Sequence, residues 1–84
     1  MKLKLYSVRD RLMNVYLAPF VARADIEAVR QIKSSMDDPQ LAKSPLVTNP
    51  QDYDLCFVAE FDDETGIVQA GKPEILFPLD RSIS

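Results

Sequence analysis

The hydrophobic pattern is densest at residues 53–61, YDLCFVAEF, where apolar and aromatic side chains fill all but two of nine positions. Val, Phe, Tyr and Leu suit a pleated sheet, and the run is too short for a lone buried helix. Side chains alternate along a strand, so one face of this stretch is fully apolar. That face consists of Tyr53, Leu55, Phe57, Ala59 and Phe61. The other face is apolar only at its centre, and the pattern predicts an inner strand with both faces at least partly covered.

An acidic turn follows this strand at residues 62–66, DDETG. Neighbouring carboxylates cannot be buried side by side, and Gly66 can adopt the positive φ that closes a short hairpin loop. Residues 67–70 are then predicted to form a short return strand, which residues 71–73, GKP, end. Residues 74–79 are apolar enough to lie along the body as an extended segment, and the stretch after them is expected to fray.

The N-terminal pattern predicts a hairpin. Residues 2–9, KLKLYSVR, alternate between apolar and polar side chains, and residues 15–22, VYLAPFVA, form a second predicted strand. Proline has no N–H to donate, so Pro19 indicates an edge strand or a bulge. The two strands are joined by the short polar stretch 10–14 and should pair antiparallel.

The pattern changes to helical spacing at Asp25–Met36, where Ile26, Val29, Ile32 and Met36 form one apolar stripe. Asp25 and Glu27 favour the helix N-terminus through the dipole, and Pro39 prevents continuation. Residues 39–52 contain three prolines and are predicted to form a long irregular loop with one short turn near residues 40–43.

These elements predict one small α+β domain, residues 1–84, with the order β-β-α-β-β. Its antiparallel sheet of about four strands carries the helix on one face, which packs Leu55, Phe57 and Phe61 against Ile26, Val29 and Ile32. The opposite face would carry Lys4, Tyr6, Val8, Tyr16 and Phe20. It is too apolar to stay bare, so we expect the C-terminal segment, a second subunit or a ligand to cover part of it.

Composition argues against an enzyme. The chain has no histidine, which excludes Ser-His and Cys-His nucleophile pairs and a histidine-containing zinc site. Its two glycines cannot make a glycine-rich phosphate loop. We interpret Cys56 as a core residue rather than a reactive thiol, and Asp62, Asp63 and Glu64 as a solvated turn rather than a metal site. The expectation is no catalytic residue, no cofactor and no metal.

A single cysteine cannot form an internal disulfide, and no apolar run is long enough to span a bilayer or to resemble a signal peptide. These features favour the reducing interior of a cell.

Charge is unevenly distributed along the chain. The net charge is −3, but residues 1–33 carry seven Lys and Arg against three acids, and the remainder carries three against ten. Cations and aromatic rings occur together in the first part, at Lys2, Lys4, Tyr6, Arg9, Tyr16, Phe20 and Arg23. On an open sheet face such residues could stack unpaired bases and contact phosphates. Alternatively, the rings are core or interface residues and the cations a solvated rim.

Three segments of the chain resemble the small nonstructural protein of gokushoviruses, which are tailless microviruses with single-stranded DNA genomes. The segments are MKLKLYSVRD, YLAPFVARADIEAVR and DYDLCFVAEFDDETG, which cover about three-quarters of the chain in the family's order. Family members place Ser or Thr where Ala24 stands, three residues before a Glu, which makes a capping box. The departure at Ala24 leaves Asp25 to serve as the cap, and the 39–52 loop is longer than usual.

The resemblance implies a non-capsid role in the host bacterial cytoplasm, outside the virion, in genome replication and packaging. Our first hypothesis is an accessory protein that binds single-stranded DNA through the basic-aromatic residues above. The second is a non-enzymatic homodimeric adaptor that binds the phage replication initiator or a host replication protein. In both cases we expect a homo-oligomer, with a dimer favoured, and no membrane partner.

Overall fold

One curled antiparallel sheet organises the chain. The computed structural model describes residues 1–79, apart from the side chain at position 77; the predicted frayed end lies outside these residues. Strands run over β1 Lys2–Asp10, β2 Val15–Tyr16, β3 Phe20–Ala22, β4 Tyr53–Asp62 and β5 Val68–Pro78. Helices run over α1 Asp25–Met36 and the single turn α2 Pro45–Thr48, with 3-10 turns at Pro39–Leu41 and Pro50–Asp52. The sheet order is β2-β1-β4-β5, with β3 also paired to β1. The α+β class, the antiparallel sheet and the single main helix are therefore confirmed.

The predicted order β-β-α-β-β is wrong, because the second strand is divided in two. β2 and β3 are separated by residues 17–19, and the observed order among the main elements is β-β-β-α-β-β. Pro19 has no N–H to donate to β1, so the regular strand hydrogen bonds are interrupted at residues 17–19 and replaced by other bonds to β1. The Leu17 N–H donates to the Val8 carbonyl, and the Ser7 hydroxyl donates to the Leu17 carbonyl. Both short strands lie at the sheet edge, as Pro19 indicates.

The stretch 39–52 is more ordered than the sequence predicts. Each of its three helical turns begins at a proline, at Pro39, Pro45 and Pro50. Proline suits the first helical position because its fixed φ matches the helix and its missing N–H would be unpaired there. Asp38 and Ser44 cap the first two turns by accepting backbone N–H groups.

The C-terminal segment is also part of the sheet. Residues 71–73 do not end the strand. They form an irregularity in the register, and β5 continues beside β4, with Ala70 opposite Ala59 and Glu74 opposite Phe57. Residues 74–78 therefore extend the sheet as part of β5, where the sequence predicted a separate extended segment lying along the body, and Leu79 after them is buried in the core.

A β-bulge at Val58 decides which side chains share a face. Tyr6 lies opposite Phe57 and Leu5 lies opposite Ala59, so β4 has one residue more than β1 at this point. Directly opposed residues point to the same side of a sheet. The bulge therefore shifts Ala59 to the opposite side from Phe57, although simple alternation predicts that they share a face.

The face under α1, called the helix face below, contains most of the core. The core combines buried residues of this sheet face with residues of α1 and of the C-terminal end. They are Tyr6, Val8, Ala22, Ala28, Ile32, Met36, Tyr53, Leu55 and Leu79. Phe20, Val29 and Phe57 are partly buried against them.

Three packing predictions are wrong. Tyr6 and Val8 lie under the helix instead of on the opposite face, and Ile26 is 66% exposed. Phe61 leaves the helix face because of the bulge, since it lies opposite Leu3. The bulge at Val58 therefore explains why Phe61 was predicted on the wrong face. Ile26 lies at the edge of the apolar stripe of α1, and only the residues nearer the centre of that stripe are buried.

Candidate interaction surface

The predicted basic-aromatic residues do not share one surface. Strand register places Lys2, Lys4, Tyr6 and Phe20 on the helix face and Arg9 and Tyr16 on the other. Arg23 is exposed in the connection between β3 and α1. The expectation that these residues form one open face is wrong, and whether they bind DNA stays a prediction.

Tyr6 is fully buried at the centre of an aromatic cluster. Its ring lies 5.9 Å from the Phe20 centroid in a stacked arrangement and 6.0 Å from the Phe57 centroid in an edge-on arrangement. Its hydroxyl donates a 2.5 Å hydrogen bond to Asp25 Oδ1. Burial, reinforced by this bond, raises the pKa of Tyr6 well above its ordinary value. A ring held in this way cannot stack on a nucleic-acid base without local unfolding.

Lys4 contacts groups of its own chain. Its Nζ lies 4.0 Å from Asp25 Oδ1 and 5.9 Å from the centroid of the Phe57 ring. Such ion pairs at a partly exposed site contribute little stability. They nevertheless direct this cation toward the start of α1.

Arg9 and Tyr16 lie directly opposite each other across β1 and β2. The Arg9 Nη2 donates to Asn14 Oδ1 over 2.8 Å, which holds the guanidinium beside the hairpin turn. The Tyr16 ring is 47% exposed. These two residues are the part of the predicted set that an external ligand could reach on the side away from the helix.

The side of the sheet away from α1 is called the open face. Its residues are Leu3, Leu5, Ser7, Arg9, Tyr16, Val21, Asp54, Cys56, Val58, Ala59, Phe61, Val68, Ala70 and Ile75. Val68 and Ile75 are 51% and 52% exposed, while Leu3, Leu5 and Phe61 are half-buried. No described helix lies over it. Ser7, Asp54, Cys56 and Ala59 are buried within this face, and its remaining apolar side chains form the surface in contact with solvent.

A shallow apolar cavity of about 240 Å³ lies on this face, lined by Ser7, Tyr16, Leu17, Pro19, Val58 and Pro73. Sequence reasoning missed the open face because it assumed unbroken alternation in β4. The alternation of Leu3 and Leu5 with Lys2 and Lys4 indicated an apolar face on β1, but it did not show which face of the sheet the helix covers.

Cys56 is buried, and its Sγ lies 3.8 Å from the Asp54 carbonyl. Burial raises the pKa of this thiol, which disfavours the reactive thiolate. Asp54 is also buried, and its Oδ2 lies 3.5 Å from Arg11 Nε. The Cys56 thiol and the Asp54 carboxylate are therefore both buried and both in contact with groups of the chain itself.

The acidic turn is closed by local bonds. The Glu64 N–H donates to Asp62 Oδ1, which lowers the pKa of Asp62 below its usual range. Gly66 has φ +74°, as the hairpin prediction requires. Within residues 1–79, no three His, Cys, Asp or Glu side chains are grouped to hold a metal ion. In the same residues no helix has the length and apolarity to cross a membrane.

The fold and this surface define a small α+β protein with exposed apolar side chains on one face of its sheet. Residues 3–80 match the family described as Phage ORF5 protein. The chain therefore belongs to the Phage ORF5 protein family. No match was found among curated proteins or among solved structures.

Proposed function

We propose that this phage protein is a non-enzymatic adaptor that binds other proteins through its open face. Following the gokushovirus resemblance, it acts in the host bacterial cytoplasm, outside the virion, during genome replication and packaging. Candidate partners are a second copy of the chain, the phage replication initiator and a host replication protein. No cofactor is required.

The observation that supports this proposal is the contrast between the open face and the cations. The open face is mainly apolar: Ser7, Asp54, Cys56 and Ala59 are buried within it, and its side chains Tyr16, Val21, Val68 and Ile75 are 42–52% exposed. Exposed apolar patches of this extent on small proteins commonly mark interaction sites. The cations that a nucleic acid would need are divided between the two faces and a loop, and Lys4 contacts Asp25.

Single-stranded DNA binding is the second candidate. The observation in its favour is the pair formed by Arg9 and Tyr16, which combines a guanidinium with an exposed ring on one face. The support for DNA binding is weaker than the sequence predicted, because Tyr6 is buried and cannot stack on a base. A site with one cation and one ring would bind weakly, and its affinity would fall only gradually with salt because few counterions are released.

The test measures both candidates on purified protein. Immobilised replication initiator from the same phage should retain the wild-type chain but not Ile75→Glu, which adds a charge to the open face. Ile26→Glu is the matched control, since Ile26 is equally apolar, more exposed and on α1. Circular dichroism confirms that both variants are folded.

In parallel, fluorescence anisotropy follows a labelled single-stranded oligonucleotide at low salt. A flat titration is expected. Salt-sensitive binding that Tyr16→Ala weakens, together with no effect of Ile75→Glu on the initiator, would favour DNA binding over the adaptor role.

A further inference from the structure

The open face carries large exposed apolar side chains, and the charged residues that strand register assigns to it are Arg9 and the buried Asp54. We propose that a second copy of this chain covers it, so that two sheets pack face to face between two outer helices. This inference rests on the proposed function, because it names one partner of the same surface.

The area of the face is sufficient for a weak dimer. The ten residues of β4 span about 33 Å, and four neighbouring strands span about 19 Å at ordinary sheet spacings. The sheet outline is therefore roughly 600 Å² per copy. Because Ser7, Asp54, Cys56 and Ala59 within it are already buried, two copies would remove at most roughly 1,200 Å² from water, which is the boundary between specific and weak, transient interfaces. Aligned packing of two twisted sheets about 10 Å apart is a common arrangement.

Most of the charged side chains of the sheet lie on the helix face and not on the open face. Register places the strand carboxylates Asp10, Glu60, Asp62 and Glu74 on the helix face, opposite Tyr53, Lys4, Lys2 and Phe57 respectively. The open face keeps the buried Asp54, which pairs with Arg11, and the cation Arg9. Two chains of net charge −3 can therefore approach through this face without bringing carboxylates together.

The same neutrality argues against a charged occupant. A nucleic acid would meet Arg9 and few other cations here, whereas an apolar surface of the same shape meets matching apolar side chains. A second copy provides such a surface at equal concentration. A second copy would cover Val68 and Ile75 of β5 and Val21 of β3, which are large exposed apolar residues at register-assigned positions.

The experiment is sedimentation equilibrium of the purified chain from about 1 µM to about 200 µM, a range that brackets the micromolar affinity of a small interface. We expect a monomer–dimer equilibrium. Ile75→Glu and, independently, Val68→Glu should weaken dimerisation at least tenfold, and Ile26→Glu should leave it unchanged. Two open-face variants are used so that misfolding of one cannot decide the result.

A monomer throughout this range would overturn the inference, as would a dimer that persists in both open-face variants. The proposed function fails separately. If the protein is monomeric and Ile75→Glu still abolishes initiator binding, this inference is wrong and the adaptor role stands. If the dimer forms through the open face but no open-face variant affects the initiator, the inference stands and the initiator is not the partner.

Discussion

The Tyr6 hydroxyl donates to Asp25 Oδ1 and so joins the buried centre of β1 to the first turn of α1. The two residues are 19 positions apart in the chain. The bond accounts for two departures from the sequence predictions. It places Tyr6 under the helix, and it uses the Asp25 carboxylate that was expected to cap the helix.

Removing this bond should destabilise the protein. Tyr6→Phe keeps the ring and its contacts with Phe20 and Phe57 but deletes the donor. Hydrogen bonds to charged groups contribute about 1.5–3 kcal/mol, and since Asp25 is half-exposed and can rehydrate, we expect a loss of about 1 kcal/mol. Urea denaturation measures it, with Tyr16→Phe as the control at an exposed ring. Equal stability of wild type and Tyr6→Phe would contradict the role given to this bond.

Alkaline pH should unfold the protein through its buried tyrosines. Burial, then the Asp25 hydrogen bond, raises the pKa of Tyr6; burial, then the charge of Asp10, raises the pKa of Tyr53. A raised folded-state pKa means that this stability is fully present below the unfolded value of about 10 and is lost as the pH rises through the folded value.

Phenolate absorbance and circular dichroism, followed together against pH, check this expectation. The phenolate signals of Tyr6 and Tyr53 should appear together with loss of structure. Ionisation near pH 10 in a folded Tyr16→Phe variant, whose remaining tyrosines are the buried Tyr6 and Tyr53, would count against it. Tyr6→Phe should become less sensitive to alkaline pH than the wild type.

The N-terminus of α1 can be improved by one substitution. Ala24 occupies the N-cap position with φ −154° and ψ 165°, and no side chain caps the helix. Serine fits this extended conformation, and Glu27 stands three residues later, so Ala24→Ser should create a capping box and add about 1 kcal/mol.

A thermal melt should show the gain from Ala24→Ser as a higher Tm. Ala18→Ser, in an exposed connection, is the matched control and should leave Tm unchanged. An unchanged Tm for Ala24→Ser would mean that the hydroxyl does not reach the free N–H groups.

Substituting each of the two glycines by alanine would distinguish the cost of backbone strain from the cost of a steric clash. A Cβ at either Gly66 or Gly71 would meet no atom within 4 Å, but Gly66 alone of the two has a positive φ, +74°. Gly66→Ala should therefore cost about 1 kcal/mol from backbone strain, whereas Gly71→Ala should be close to neutral. Chemical denaturation of the two variants measures the difference. Equal effects would show that the turn relaxes around alanine.

Local rules predicted much of the fold because they act over a few residues. The helix Asp25–Met36 has the bounds that its apolar stripe and Pro39 indicate. The edge position of residues 15–22 follows from Pro19, and the turn at Gly66 follows from its neighbouring acids. The candidate site was placed less well. Of its seven residues only Arg9 and Tyr16 lie on the open face.

By itself, the sequence determined the α+β class, the main helix, the central strand and the acidic hairpin turn, because spacing and turn chemistry are local properties. The tertiary structure alone decided which sheet face the helix covers. One extra residue at Val58 reverses the facing of every later side chain in β4, and alternation carries no sign of such an insertion. That single shift assigns Ala59 and Phe61 to the open face and Glu60 to the helix face.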